Sequence, residues 1–411
     1  MNPVTVLVAT DGRHLFDDIH DSRIRLTTDP SVEPQLLVFP VSRYRRFENL
    51  SAIALPPPLM RAIADGRTGL VFDASLEGVP HKPDIAHALH AVISRLGASP
   101  RQCAYVTQDR QYSGDYRAYC DSSGLVPVAI IAHDYWVWNA LAEYESTGEQ
   151  TYQARLTTFR GRHPMRARMF VSLNRTPRPT KILFLLRLLH DRLWERGFIS
   201  FGGFRQMPDG PGKNRPSPEQ LARALPEFED LVVEVSPYLE QLEAAGRVLL
   251  GMEQHGWHRL QLGNAERAVA LTEYDDSWFT VITETEMRGR PSRITEKVVK
   301  PLVNFHPLLV LGNPAALQMI RSYGFVTFEE LFDEGYDDEW DPRRRFEHVY
   351  AQVCRLCATG DDEWRQLEQR VADKLIFNAR WGLTRFPSVY REQRDRALVN
   401  ELLAATGQSS L

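Results

Sequence analysis

The sequence predicts an α/β chain of two domains facing one another, followed by a helical tail. Short β-branched apolar runs end in polar turns, and helical periods lie between them. The same alternation begins a second time after a basic, irregular stretch.

"VTVLVATDG" opens with a near-continuous apolar run and closes in a turn, as a strand buried on both faces of a parallel sheet does. Gln35–Val41, Thr68–Ser75, Cys103–Asp109 and Leu125–Asp134 repeat the pattern. "KPDIAHALHAVISRLG" has helical spacing, with Pro83 near its start and Gly97 at its end. The first domain is expected over residues 1–160, with the junction in "TFRGRHPMRARM", Thr158–Met169.

The second domain is expected over residues 161–345. Ala167–Asn174 reads as a strand that runs into the turn "NRTPRPT", and "KILFLLRLLHDRLWERG" as a long helix ending at Gly197. "FISFGGFRQMPDGPGKNRPSPEQ", rich in Gly and Pro, reads as a long loop. "RAVALTEYDDSWFTVITETE" supplies short strands. "RITEKVVKPLVNFHPLLVLG" has a polar opening, an amphipathic run and an apolar run closed by Gly312, which suits a helix feeding a buried strand. "NPAALQMIRSYGF" is a helix ended by Gly324, and from Phe346 the pattern is amphipathic and helical, a tail over residues 346–411.

The 411 residues carry a net charge of −4, 43% hydrophobic and 25% charged residues, an ordinary balance for a globular protein. There is no strong nucleic-acid signal, which would show as a basic excess, so any anion site must be local. Four cysteines are too few for a disulfide framework. Cys354 and Cys357 have C-x-x-C spacing without a second pair, and read as two buried thiols on one helix face. The start "MNPVTVLVATDGRH" lacks the basic region of a signal peptide, and no apolar run reaches the ~20 residues of a membrane helix. A cytoplasmic protein is expected.

Chemistry concentrates at two strand-to-helix junctions. "FVSLNRTPRPTK" gathers Ser172, Asn174, Arg175, Arg178 and Lys181. "TVITETEMRGRPSRITEK" gathers Glu284, Glu286, Arg288, Arg290, Arg293, Thr295, Glu296 and Lys297. Ligands of open α/β sheets bind outside the carboxyl ends of the strands, and free N–H groups at helix starts favour phosphate. Arginine forks and a lysine point charge complete a diphosphate cradle. The chain has neither a P-loop nor a G-x-G-x-x-G after its first strand. His255 and His258 in "HGWH" read as a helix face, and "DPRRRFEH" as solvated surface, with Tyr336 and Asp337 near the cleft.

"FTVITETEMRGRPSRITEKVVKPLVNFHPLLVLG" resembles the donor-binding core of the α-1,3-fucosyltransferases, in which a T-E-K opens a helix after an acidic turn. "FVSLNRTPRPTKILFLLRLL" resembles that family's other element, a strand ending in Ser-Asn with a basic residue shortly after it. The order of the two elements matches. Here "TETE" replaces the family's Glu-Asn-Ser, and a Leu parts the Ser-Asn pair. "EKVVKP", "GFVTFEELFDEGYDDEWD" and "KLIFNARW" also resemble uncharacterised bacterial and phage proteins read as glycosyltransferases.

The resemblance implies a GT-B-like fold of two Rossmann-like domains facing a cleft. It implies inverting transfer of a sugar from a nucleotide-diphosphate sugar to a glycan, lipid-linked or other hydroxyl acceptor. The donor would be a substrate; no cofactor and no metal ligand are expected. Lys297 with Arg178 or Lys181 would hold the diphosphate. Glu296 would contact the ribose or orient Lys297, and Glu284 would face the donor sugar, with Asn174, Arg175, Arg293 and Thr295 around them. The general base would come from a strand end of the first domain: Asp73, Glu77, Asp11 or Asp109. Two other functions fit the same residues: a nucleotide-sugar epimerase or hydrolase, which would act without acceptor, and a non-catalytic nucleotide- or glycan-binding module, which would bind without turnover.

Overall fold

The computed structural model describes residues 3–9, 14–17, 19, 21–41, 50, 53–76, 81–135, 137, 140, 146–174, 176–204, 215–246, 272–284, 287 and 293–408. The chain divides into two compact units. One comprises residues 1–142, 290–293 and 388–411, and the other residues 143–289 and 294–387.

The first unit is built on a six-stranded sheet. Its strands are β1 (Val4–Val8), β2 (Ile24–Thr27), β3 (Leu36–Pro40), β4 (Gly69–Ala74), β5 (Cys103–Thr107) and β6 (Ala129–Ala132). They lie in the order β2-β1-β3-β4-β5-β6, every pair parallel. Parallel strands need crossovers, and helices α1 (Pro57–Ala64), α2 (Pro83–Arg95) and α3 (Tyr112–Ser123) supply three of them. Leu59, Ile63, Leu89, Val92, Ile93 and Tyr116 of these helices bury themselves against Leu37, Phe39, Leu70, Phe72 and Tyr105 on one sheet face. The opposite face is covered by Leu398, Val399, Leu402 and Leu403 of the closing helix Arg396–Ala405. That helix packs on the first sheet rather than ending a separate tail, because its apolar stripe finds Val4, Val6, Leu36, Val71 and Val106 there. It comes so close that a Cβ on Gly69 would stand 2.4 Å from the Cβ of Thr406.

The second unit holds a four-stranded parallel sheet of order β10-β9-β7-β8. Its strands are β7 (Phe170–Asn174), β8 (Gly197–Phe201), β9 (Phe279–Thr283) and β10 (Leu308–Leu311). Its helices include α4 (Gly148–Arg160), α5 (Pro179–His190), α6 (Glu296–Val303), α7 (Pro342–Ala358) and α8 (Asp361–Arg380). Three segments depart from expectation. The long helix stops at His190, because Arg192 takes a left-handed φ of 59°, and Gly197 instead opens β8. The stretch read wholly as loop therefore begins with a strand. Thr272–Asp275, expected near strands, forms a helical turn.

The basic stretch read as a junction lies inside the second unit. Arg162 and Arg166 have side chains only 2% exposed, and they pair with Asp275 and Glu368. Arg155 adds a two-pronged pair to Asp275, at 2.9 and 2.8 Å. Buried guanidinium groups are tolerable only when paired in this way. The partners come from more than a hundred residues away, which made the stretch look unpaired locally. No helix among the described residues is long and apolar enough to cross a membrane.

Candidate functional site

The two junctions meet at the carboxyl edge of the second sheet, because β7 and β9 are neighbours in it. β7 ends at Asn174, and α5 starts five residues later with Pro179 in its first turn. β9 ends at Thr283, and α6 starts at Glu296 after its N-cap Thr295. Both helices leave the sheet with their positive ends at this edge.

Asn174 is fully buried, and its polar atoms are spent inside the sheet. Its backbone N–H donates to Ser200 Oγ at 3.1 Å, its Nδ2 to Ser172 Oγ at 2.9 Å, and Thr283 Oγ1 donates to its Oδ1. These bonds tie the ends of β7, β8 and β9 together. The donor-binding role expected for Asn174 would therefore act through the position of the strand ends.

Glu284 follows directly. Its backbone N–H donates to Leu311 O at 2.9 Å, and its side chain is 4% exposed. The carboxylate accepts the Thr295 N–H at 3.1 Å and the Thr295 hydroxyl at 2.8 and 2.9 Å. A carboxylate thus sits on the N-cap of α6, where the free N–H groups and the dipole favour negative charge. Gly312, which closes β10's apolar run, makes room for it: a Cβ there would lie 3.1 Å from Glu284 Cβ.

Lys297 lies in the first turn of α6. Its Nζ donates to Thr295 Oγ1 at 2.9 Å and to Glu296 Oε1 at 3.3 Å, with Glu284 Oε2 at 3.9 Å. Burial raises the Glu296 carboxyl, but Lys297 and Lys300 outweigh it and leave that group below its ordinary value. Lys297 is therefore half-exposed and already matched by carboxylates.

Lys181 is the contrast. It occupies the first turn of α5, is 3% exposed, and has no hydrogen-bond or ion-pair partner among the described residues. Burial lowers its ammonium first, and Lys297 and then Arg178 lower it further. Glu284 and Glu296 oppose this, yet the group still falls from 10.5 to about 7. The same interactions show that Lys181, Lys297, Glu284, Glu296 and Arg178 share one electrostatic neighbourhood. Arg178 is half-buried at the N-cap of α5.

Of the remaining expected residues, Arg293 is half-buried and groups with the first unit. Arg175, Asp11, Glu77, Glu286, Arg288, Arg290, His255 and His258 lie outside the described residues. Asp73, at the end of β4, is 1% exposed and accepts the backbone N–H of Leu15 at 2.6 Å and of Ser75 at 2.9 Å. Burial outweighs these bonds and raises its carboxyl. Asp109, at the end of β5, accepts the Gln111 N–H at 3.0 Å.

Asp337 accepts the N–H groups of Leu317 and Gln318 at 2.9 and 3.1 Å, and Tyr336 OH accepts that of Val310 at 3.2 Å. Both residues are buried and pin neighbouring backbone. Cys357 is buried and Cys354 half-buried on α7, and desolvation raises both thiols. No group of three or more His, Cys, Asp or Glu able to hold a metal exists among the described residues.

Sequence reasoning missed Arg345. The stretch "DPRRRFEH" was expected to be solvated surface, but Arg345 is 1% exposed. It donates to Gly312 O at 2.8 Å, Glu339 O at 2.5 Å and Met287 O, and so ties together three backbone segments, one of which, Gly312, lies against Glu284. A signal existed: Asp341-Pro342 starts α7, and helical spacing then puts Arg345 on the buried face with Phe346 and Val349.

No family model matches the chain, and no curated protein matches it. Among solved structures, the chain is similar to an alpha1,3-fucosyltransferase at 10% identity, covering 90% of this chain and 81% of that one with a TM-score of 0.35. It is also similar to the alpha,alpha-trehalose 6-phosphate synthase of Burkholderia multivorans at 11% identity, covering 92% and 73% with a TM-score of 0.39.

The low value of Lys181 has a consequence for stability. The unfolded chain holds more protons than the folded one between about 7 and 10.5. Wild-type stability should therefore gain from rising pH across that window, and the penalty of a buried charge should be complete below it. Lys181→Met should melt higher than wild type near neutral pH, with the difference shrinking toward the ordinary lysine value. Thermal melts across the window test this. A difference that stays constant with pH would contradict the assignment.

Proposed function

We propose that the chain is a glycosyltransferase of the GT-B type that holds a nucleotide-diphosphate sugar at the carboxyl edge of its second sheet. The carrying observation is the pair of lysines, Lys181 and Lys297, in the first turns of two helices that follow neighbouring strands. A cation at a helix N-terminus is opposed by the dipole, at a cost of about 0.3–1 kcal/mol at the surface and more when buried. Two such placements in one neighbourhood suit a ligand carrying at least two negative charges. The resemblance of these junctions to the fucosyltransferase donor core supports a diphosphate linked to a sugar.

In this reading the β-phosphate meets Lys297 and the free N–H groups of α6, and Lys181 approaches from α5. Glu284 and Thr295 set the position of Lys297, and Arg178 adds charge at the start of α5. The developing charge of the leaving nucleotide is met by groups already in place, which lowers the barrier without reorganisation. These cations supply the charge neutralisation that a divalent ion gives other transferases, so metal-independent transfer is proposed.

The first unit would hold the acceptor, with inversion driven by a base at its strand ends. Asp73, Asp11 and Glu77 are the proposed bases. Asp73→Asn, Asp11→Asn and Glu77→Gln would tell them apart. The base variant should lose transfer while still binding donor; if none of the three does so, the base lies elsewhere.

Lys297→Ala should fold normally, since the bonds Lys297 Nζ makes to its own turn and toward Glu284 lie at a partly exposed helix start. In an assay containing EDTA, the wild type should transfer sugar to acceptor, and Lys297→Ala should be slower by about 2–4 kcal/mol of barrier. Loss of wild-type activity in chelator, restored by Mg²⁺ or Mn²⁺, would overturn metal independence. Normal transfer by the variant would reduce the T-E-K stretch to a helix cap. Sugar release from donor without acceptor, at the full rate, would favour the hydrolase or epimerase reading.

A further inference from the structure

Lys297 and Lys181 meet the same ligand from different starting states. Lys297 is half-exposed and bonded to Thr295 and Glu296. Lys181 is almost wholly enclosed, sits in the first turn of a twelve-residue helix whose N-cap side chain makes no capping bond, and has no partner among the described residues. The charged groups bearing on it are Lys297 and Glu296 from α6, Glu284 from the end of β9, and Arg178 from the turn before it.

The acidic residues described on the elements packed beside α5 are paired elsewhere or exposed. Asp230 is paired with Arg343, Glu234 with Arg187 and His190, and Glu243 with Arg215, while Glu229 and Glu240 are exposed. On the turn that follows α5, Glu195 is exposed, as is Arg196 beside it.

An enclosed amine with a second ammonium nearby and no bonded carboxylate among the described residues is shifted toward its uncharged form. An arriving dianion would supply a counter-charge to an amine that has no bonded partner among the described residues.

We propose that ligand capture and protonation of Lys181 are a single event: the site takes one proton from solvent as the diphosphate binds and returns it when the nucleotide leaves. This rests on the donor-site reading above. No bond other than N–H is made or broken, and the proton comes from and returns to buffer. The site then discriminates by charge. A neutral sugar gains nothing from Lys181, a diphosphate gains a charge-assisted hydrogen bond in a dry environment, and affinity falls as protons become scarce.

The test is titration calorimetry of the full chain with UDP, GDP, CDP, ADP and dTDP. Measurements at about pH 8.5 in buffers of different ionisation enthalpy avoid interference from the ligand, because a terminal phosphate with a second pKa of about 6 is already ionised. The expected result is uptake of about one proton per bound nucleotide and a dissociation constant that weakens about tenfold per pH unit above neutrality. Lys181→Gln should abolish the uptake, and Lys181→Arg, which carries a permanent charge, should bind without it. Lys297→Ala should bind more weakly and still take up the proton.

Wild-type binding with no proton uptake would overturn the proposal and leave the donor reading standing. Undiminished uptake in Lys181→Gln would also overturn it. Failure of every nucleoside diphosphate to bind at neutral pH would overturn both.

Discussion

A lysine enclosed in the first turn of a helix, with no bonded partner among the described residues, is the constraint that sets the edge of the second sheet apart. Lys181 is enclosed where both burial and the dipole oppose its ammonium, and Lys297 lowers it again. Its neighbours on β7, β9 and α6 are bonded to one another. Thr295 and Glu284 cap α6, Glu296 and Thr295 hold Lys297, and Asn174 is saturated by Ser172, Ser200 and Thr283. Among the described residues these neighbours are bonded while Lys181 has no partner, and the donor-site proposal rests on that contrast.

The rest of the second unit keeps that edge rigid. Thr283 and Asn174 lock the ends of two neighbouring strands, so the two helix starts cannot drift apart without breaking buried hydrogen bonds. Arg345 ties the backbone of Gly312, which lies against Glu284, to that of Met287, and its own guanidinium is lowered to about 10 by burial. Farther down the sheet, Trp278 and Phe279 stack on Trp364 of α8, with ring centroids 5.8 and 5.4 Å away. The arginines of the stretch after α4 close the same region with Asp275 and Glu368. Binding groups on rigid elements need little ordering when a ligand comes, which leaves more of the interaction energy for affinity.

Much of the frame was legible because parallel strands are long apolar runs and helices carry a period. β1, β3, β4, β5, β6, β7, β9 and β10 all fall in stretches whose composition announces them. β2 was missed because "IRLT" is a four-residue edge strand with mixed exposure. β8 was missed because Gly197 looked like a helix terminus, whereas the helix had already been broken at Arg192. The grouping of Lys181, Glu284, Thr295, Glu296 and Lys297 in one neighbourhood was legible, since strand-to-helix junctions are local in sequence. The hydrogen bonds each makes there were not. Glu284 was expected to face the donor sugar, and its carboxylate rests on Thr295, eleven residues on. Arg345 reaches Met287 across 58 residues, and no local pattern encodes such a bond.

The most direct measurement of the central claim is a crystal structure of the chain with a nucleotide-diphosphate sugar. The account predicts the diphosphate at the carboxyl edge of the second sheet, within hydrogen-bond distance of both Lys181 Nζ and Lys297 Nζ and of the first N–H groups of α6. Nucleotide bound elsewhere on the chain, with Lys181 still enclosed and unpaired and Lys297 still on Thr295, would contradict it.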